Sequence, residues 1–139
     1  MTAPRAEASV PLAKEVSLMG MRGITARFAG FVLGAIVGFF GSFNAVFSDG
    51  GSVERVNAIL MTALVIGLVA AMVGVIDRGT GWRVALWVWF PGAAMLAVYI
   101  ALGEYSVWMW AILVAAITLG AAIVGVLLGG LSGGRTRVR

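Results

Sequence analysis

Residues 56–76 read VNAILMTALVIGLVAAMVGVI, a run of 21 residues without a charged side chain between Arg55 and Asp77. A helix needs roughly 20 apolar residues to cross the hydrocarbon core of a bilayer. The run lacks the alternation of apolar and polar residues that marks the strands of a membrane barrel. It also lacks the polar face that a helix in a soluble bundle keeps. The stretch therefore predicts a transmembrane helix.

Three more uncharged runs flank this segment, and short polar turns separate all four runs. The chain is therefore predicted to be all-α, a polytopic membrane protein with four transmembrane helices in an antiparallel bundle. The transmembrane domain is expected to cover residues 27–130. Its helices are expected at residues 28–48, 55–76, 83–102 and 106–129.

Two tails are predicted to flank this domain. Residues 1–26 contain Pro11 and Gly20, which favour a frayed, solvated tail over a short helix lying on the membrane surface. Residues 131–139 form a basic tail whose arginines are expected to lie near anionic headgroups.

The basic residues predict the orientation of the bundle, because cytoplasmic loops carry an excess of Lys and Arg. Arg55 lies on one side of the predicted membrane. The other nine basic residues share the opposite side with both termini: Arg5, Lys14, Arg22, Arg27, Arg78, Arg83, Arg135, Arg137 and Arg139. Both termini are therefore predicted to be cytoplasmic. One lysine against nine arginines favours a GC-rich bacterial genome, and with it the plasma membrane (the inner membrane) of a bacterium.

Composition excludes several classes of function. Of the 139 residues, 61% are hydrophobic and 12% are charged, whereas soluble domains are about half apolar and about a quarter charged. A soluble enzyme or a nucleic-acid-binding module is therefore not expected. With no Cys and no His, the chain offers no disulfide, thiolate or zinc site and no His-ligated haem. Apart from Arg55 and Arg83 at the first positions of their helices, no charge falls within the predicted spans. A proton relay, catalysis, a metal site and a cofactor are therefore not expected either.

Small residues at helical spacing predict how the helices pack, because lipid tails are as apolar as Leu and close packing drives association. The stripes lie on the first, second and fourth helices and form a glycine-zipper pattern: Gly30, Gly34, Gly38, Ser42, Gly67, Gly74, Gly125 and Gly129. These three helices are expected to make the tight contacts. The third helix, with Trp82, Trp87 and Trp89, is expected to present bulk to lipid or to a partner. A stripe that is not used inside the bundle would be able to dock another subunit.

Three further features are candidates for a role in function. Asn44, Asn57 and Thr62 lie toward the predicted outer ends of the first two helices, either as an interhelical hydrogen bond or as a polar vestibule for a small solute or anion. Pro91 predicts a kink in the third helix, serving static packing or a hinge. At the inner face, contacts with lipid headgroups are expected from Arg27, Arg78 and Arg83.

Two classes of function follow from these features. The first is a non-catalytic accessory or structural subunit of a larger membrane complex, whose partners are the lipid bilayer and other integral membrane subunits. It depends on the small size, the glycine stripes and the absence of chemistry. The alternative is a small channel or transporter for a small solute or ion, formed by several copies of the chain. It depends on the candidate vestibule and on Pro91.

Overall fold

A computed structural model describes residues 10–47, 51–77, 81–102 and 105–134 of the chain. Four helices make up these residues: α1 (Val10–Phe47), α2 (Ser52–Ile76), α3 (Trp82–Leu102) and α4 (Tyr105–Gly134). Each contains a segment of 21 to 28 residues that is long and apolar enough to cross a membrane. No strand occurs in the described ranges. The predicted fold, an all-α membrane protein with four spanning helices, is therefore confirmed.

The helix ends differ from the predicted spans at both ends of the chain. α1 begins at Val10, so residues 10–26 continue the first helix instead of forming a frayed tail. Pro11 stands in its first turn, where the missing N–H would have no intrahelical acceptor in any case. α4 continues to Gly134, beyond the predicted end at residue 129. Residues 1–9 and 135–139 of the two predicted tails lie outside the described residues.

The helices are arranged as two hairpins that lie side by side. α1 packs against α2 and α3, and α4 packs against α2 and α3, while the pairs α1–α4 and α2–α3 lie across diagonals of the bundle. Consecutive helices run in opposite directions, so α1 is parallel to α3 and α2 is parallel to α4. The bundle thus has two antiparallel interfaces and two parallel ones.

Glycines let the backbones touch at both parallel interfaces. Between α1 and α3, a Cβ atom built on Gly34 would overlap the carbonyl oxygen of Val88, and one on Gly38 would lie 2.6 Å from the Cα atom of Gly92. Such distances are too short for any side chain. From the first contact to the second, both helices advance by four residues in the same direction, so the two helices are parallel.

The interface between α2 and α4 is built in the same way. A Cβ atom on Gly125 would overlap the carbonyl oxygen of Gly67, and one on Gly129 would overlap the carbonyl oxygen of Ala71. A Cβ atom on Gly74 would lie 2.9 Å from the carbonyl oxygen of Val126. Small residues therefore allow backbone-to-backbone packing along much of this interface, as is common in membrane helices.

The expectation for the third helix was wrong in one respect. α3 packs closely against α1 through Val88 and Gly92, while α1 and α4, both expected in the tight core, lie across a diagonal. One glycine on α3 is enough here, because the glycine stripe of α1 leaves room for the backbone of its neighbour. The bulky side chains do face outward, since Trp82 and Trp87 are 64% and 52% exposed. The helix is continuous through Pro91.

The interior of the bundle is packed with small and β-branched side chains in two clusters. Val73, Val84 and Val88 belong to the cluster near the α2–α3 connection, and Ile59 and Val114 to the cluster near the opposite end. The buried polar side chains among the described residues are Ser42, Thr62 and Thr118. The hydroxyls of Thr62 and Thr118 each donate to a carbonyl of their own helix, at 2.7 Å. The interior is therefore mainly apolar.

Replacing Gly34 by Ala is expected to destabilise the bundle, because the new methyl group must push α1 away from the Val88 carbonyl. Overpacking of this kind costs about 1–3 kcal/mol. The free energy of unfolding in mixed micelles measures the effect. Gly120→Ala is the matched control, since a Cβ atom there meets nothing within 4 Å. Equal stability of the two variants would contradict the packing described here.

Single-cysteine labelling tests the predicted orientation, because the chain contains no Cys. Ser52 begins α2 and Ser132 lies near the end of α4, so the two serines mark opposite faces of the membrane. We expect an impermeant maleimide to label Ser52→Cys in intact cells and to label Ser132→Cys only after permeabilisation. The reverse pattern would overturn the prediction that the termini are cytoplasmic.

Candidate functional site

An ion pair joins α1 to the end of α2. The Nε of Arg27 donates to Oδ2 of Asp77, the residue that directly follows α2. The Asp77 side chain is only 11% exposed, against 36% for Arg27. The backbone N–H of Asp77 donates to the carbonyl of Val73 at 2.8 Å, which fixes the position of the carboxylate. Because the connecting turn lies at the other end of these two helices, the ion pair closes the open end of the hairpin.

Sequence reasoning assigned Arg27 to lipid headgroups and missed its partner. The signal was present, because Arg27 precedes the first uncharged run and Asp77 follows the second. In an antiparallel hairpin these two positions lie at the same depth, and their charges are opposite. Of the other two arginines assigned to headgroups, Arg83 is exposed in the first turn of α3, and Arg78 lies outside the described residues.

Two apolar hollows open beside this ion pair, on the outer surface of α1 and α3. Phe31 and Trp87 line both hollows, and their rings meet edge to face with centroids 5.9 Å apart. One hollow, of about 370 Å³, has Arg83 at its rim. The other, of about 390 Å³, has Arg27 at its rim. An arginine therefore borders each hollow at the same end of the bundle.

The structure does not gather the three residues of the candidate vestibule. Asn44 and Asn57 are both exposed, and within the described ranges no hydrogen bond joins them. Asn44 and Thr62 line a shallow groove between α1 and α2, of about 310 Å³, whose other walls are mainly apolar. The Thr62 hydroxyl already donates to the carbonyl of Ala58. Asn44 and Asn57 therefore lie on an outer surface, Thr62 is buried beside the groove, and the three side chains form no enclosed site.

The glycines singled out in the sequence serve the internal packing. Besides the contacts of the two parallel interfaces, a Cβ atom on Gly30 would lie 2.8 Å from Cγ2 of Val73, on α2. Ser42 is 2% exposed. Gly41 lies one residue from the stripe and widens it toward α2, where a Cβ atom would overlap the Thr62 side chain.

A second groove, between α3 and α4, opens on the side of the bundle opposite α1 and α2. We call it the α3–α4 groove. The indole Nε1 of Trp89 crosses its floor and donates to the carbonyl of Ala115 at 3.0 Å. Half of its ten lining residues are alanines: Ala93, Ala97, Ala111, Ala115 and Ala116. Its volume is about 320 Å³, and the larger side chains of Leu96, Ile100, Ile112 and Leu119 complete its walls.

The chemistry available in these places is limited. Among the described residues, no group of three or more acidic, His or Cys side chains is placed to hold a metal ion. At the end of the bundle away from Asp77, the Arg55 guanidinium lies 5.5 Å from the centroid of the Trp110 ring, a cation–π contact. The ion pair can stabilise the bundle, and the aromatic hollows and the α3–α4 groove can bind a ligand or pack against a partner.

The first hairpin resembles a known protein family. Residues 22–79 match the model of a family described as a family of unknown function (DUF6954), over less than half of the 139 residues. The matched segment holds α1 from Arg22 onward, all of α2 and Asp77, so it corresponds to the first hairpin with the ion pair that closes it. No curated protein and no solved structure has significant similarity to the chain.

Coupling between Arg27 and Asp77 is expected to be measurable in a double-mutant cycle. Arg27→Gln and Asp77→Asn should each lower the free energy of unfolding, and the double variant should lose less than their sum. The coupling is expected to be on the order of 1 kcal/mol, at the upper end for ion pairs that water can reach, because Asp77 is largely buried. A cycle of Arg55→Gln with Asp77→Asn is the control and should be additive. Additivity in both cycles would contradict the ion pair.

Proposed function

We propose that the protein is a non-catalytic accessory or structural subunit of a larger membrane complex. The observation that carries the proposal is the α3–α4 groove, an outward-facing surface on which five of the ten lining residues are alanines and which the chain itself does not cover. Helices associate in lipid where small residues allow close approach. A partner helix laid along Ala97 and Ala116, which are both exposed, would pack closer there than over the larger side chains of the outer surface.

The packed interior supports this proposal over transport by a single copy. Val84, Ala85 and Val114 are fully buried on the inner faces of α3 and α4, and the buried threonine hydroxyls are satisfied by their own helices. A solute path needs polar groups or water along its length. The four hollows described on the bundle are lined mainly by apolar surface, and they open outward.

A second candidate function is a channel formed between several copies of the chain. It is favoured by the groove between α1 and α2, where the exposed Asn44 side chain and the largely buried Thr62 side chain both contribute to the lining. Copies arranged with this groove toward a common axis would line a narrow pore. The subunit proposal and the channel proposal differ in what the chain binds, which is another polypeptide or itself.

Native mass spectrometry of the tagged protein, extracted gently from its own membrane, separates the two functions. The subunit proposal predicts other polypeptides in fixed ratio. Masses that are only multiples of the 14.4 kDa chain would contradict it, and flux through the purified oligomer in liposomes would then test the channel.

The α3–α4 groove is tested by Ala97→Leu combined with Ala116→Leu. Both side chains are exposed, so the bundle should stay folded while the longer side chains fill the groove. We expect the partner polypeptides to be lost and the level of the chain in the membrane to be unchanged. Ala29→Leu, at an exposed alanine on α1 away from the groove, is the matched control and should retain them. Retention of partners by the double variant would show that they bind elsewhere.

A further inference from the structure

The two hollows at the Arg27–Asp77 end form one continuous surface on α1 and α3. Ile24 and Phe28 complete the hollow beside Arg27, and Leu86 and Phe90 complete the hollow beside Arg83. The Phe31–Trp87 pair stands between them as a shared wall. Each hollow is a trough that opens to the side of the bundle. We call this surface the aromatic troughs. Its aromatic side chains distinguish it from the α3–α4 groove, where alanines make up half of the lining.

Both arginines stand at the same depth, at one end of the troughs. The parallel register of α1 and α3 pairs Gly34 with Val88, which places Arg27 level with Gly81 and two residues from Arg83. At 1.5 Å per residue the two are about 3 Å apart along the bundle axis. From this level the troughs run inward, past Trp87 and then Phe90, toward the middle of the span.

The electrostatics at this level favour a negative charge. Arg83 is exposed, and among the described residues no carboxylate pairs with it. It lies in the first turn of α3, where the backbone N–H groups contribute further positive potential. The Arg27 guanidinium is held at the rim of the second trough by its bond to Asp77. The Asp77 carboxylate offsets the charge of Arg27, so the net positive charge among these three groups comes from Arg83.

We propose that the aromatic troughs bind one anionic phospholipid. Its phosphate is held at Arg83, with Arg27 on the other side of the headgroup, and its two acyl chains lie on either side of the Phe31–Trp87 pair. A cationic rim above apolar troughs between spanning helices is the arrangement that recognises an anionic headgroup together with its chains. A second copy of this chain fits less well, because the exposed Arg83 would lie at the interface. The inference is independent of the function proposed above.

The test is lipid binding to the delipidated full-length protein, followed by native mass spectrometry. Phosphatidylglycerol and phosphatidylcholine with identical acyl chains are the two probes. We expect one phosphatidylglycerol to be retained in preference to phosphatidylcholine. Arg83→Gln should weaken phosphatidylglycerol binding about fivefold, the effect of about 1 kcal/mol for one arginine near an anionic surface, and leave phosphatidylcholine binding unchanged. Arg55→Gln removes the same charge at the other end of the bundle and should change neither.

The troughs themselves are tested by Leu86→Trp, which fills the one beside Arg83 without changing the charge. Because Leu86 is exposed, the bundle should fold, and lipid binding should fall. Leu68→Trp, at an exposed leucine on α2, is the matched control and should bind as the unaltered chain does. The proposal is overturned if both lipids bind equally, if Arg83→Gln binds as the unaltered chain does, or if the troughs are covered by a second copy in a dimer.

Discussion

Backbone contact at glycine is the constraint on which the rest of the bundle depends. In a bilayer the side chains of these helices gain little by leaving the lipid, because the acyl chains are equally apolar. What remains is dispersion between closely packed atoms and the few polar contacts, and dispersion falls away within an ångström of the optimum distance. Gly34 against Val88 and Gly125 against Gly67 bring the helices to that distance. The core of valine and alanine is filled only because these contacts draw the four helices together.

The difference between the inner and outer surfaces of the bundle follows from this packing. Once the small residues of α1, α2 and the inner face of α4 are used inside, aromatic and long side chains remain for much of the outside. The α3–α4 groove is an exception, because alanines make up half of its lining and leave a hollow between the larger side chains. The arginines and aromatic rings at the Asp77 end make a surface of the opposite kind, which suits a charged headgroup with chains. The bundle therefore presents two outer surfaces of different chemistry, the α3–α4 groove and the aromatic troughs.

The sequence contained most of the fold, because uncharged runs of 20 residues or more have few alternatives to a membrane helix. The glycines of α1, α2 and α4 could be located by their spacing. The sequence did not predict which helix each stripe contacts. Stripes of small residues four apart are alike on three helices, and nothing in them identifies the partner helix. The partner of Gly34 is a backbone carbonyl, and a carbonyl has no sequence signature. The Arg27–Asp77 pair was within reach, because depth and opposite charge both follow from the positions of the uncharged runs.

From the same packing we expect a particular order of assembly. α1 and α2 are adjacent in the chain and are linked by an ion pair, so the first hairpin can form as soon as its two helices have entered the membrane. The closest contacts of that hairpin, however, are with Val88, Gly92, Gly125 and Gly129, which are synthesised later. Until then the glycine faces of α1 and α2 are covered by lipid, which fits them poorly. The second hairpin therefore arrives at a surface that is already shaped to receive it, and the bundle matures by replacing lipid with protein along the two parallel interfaces.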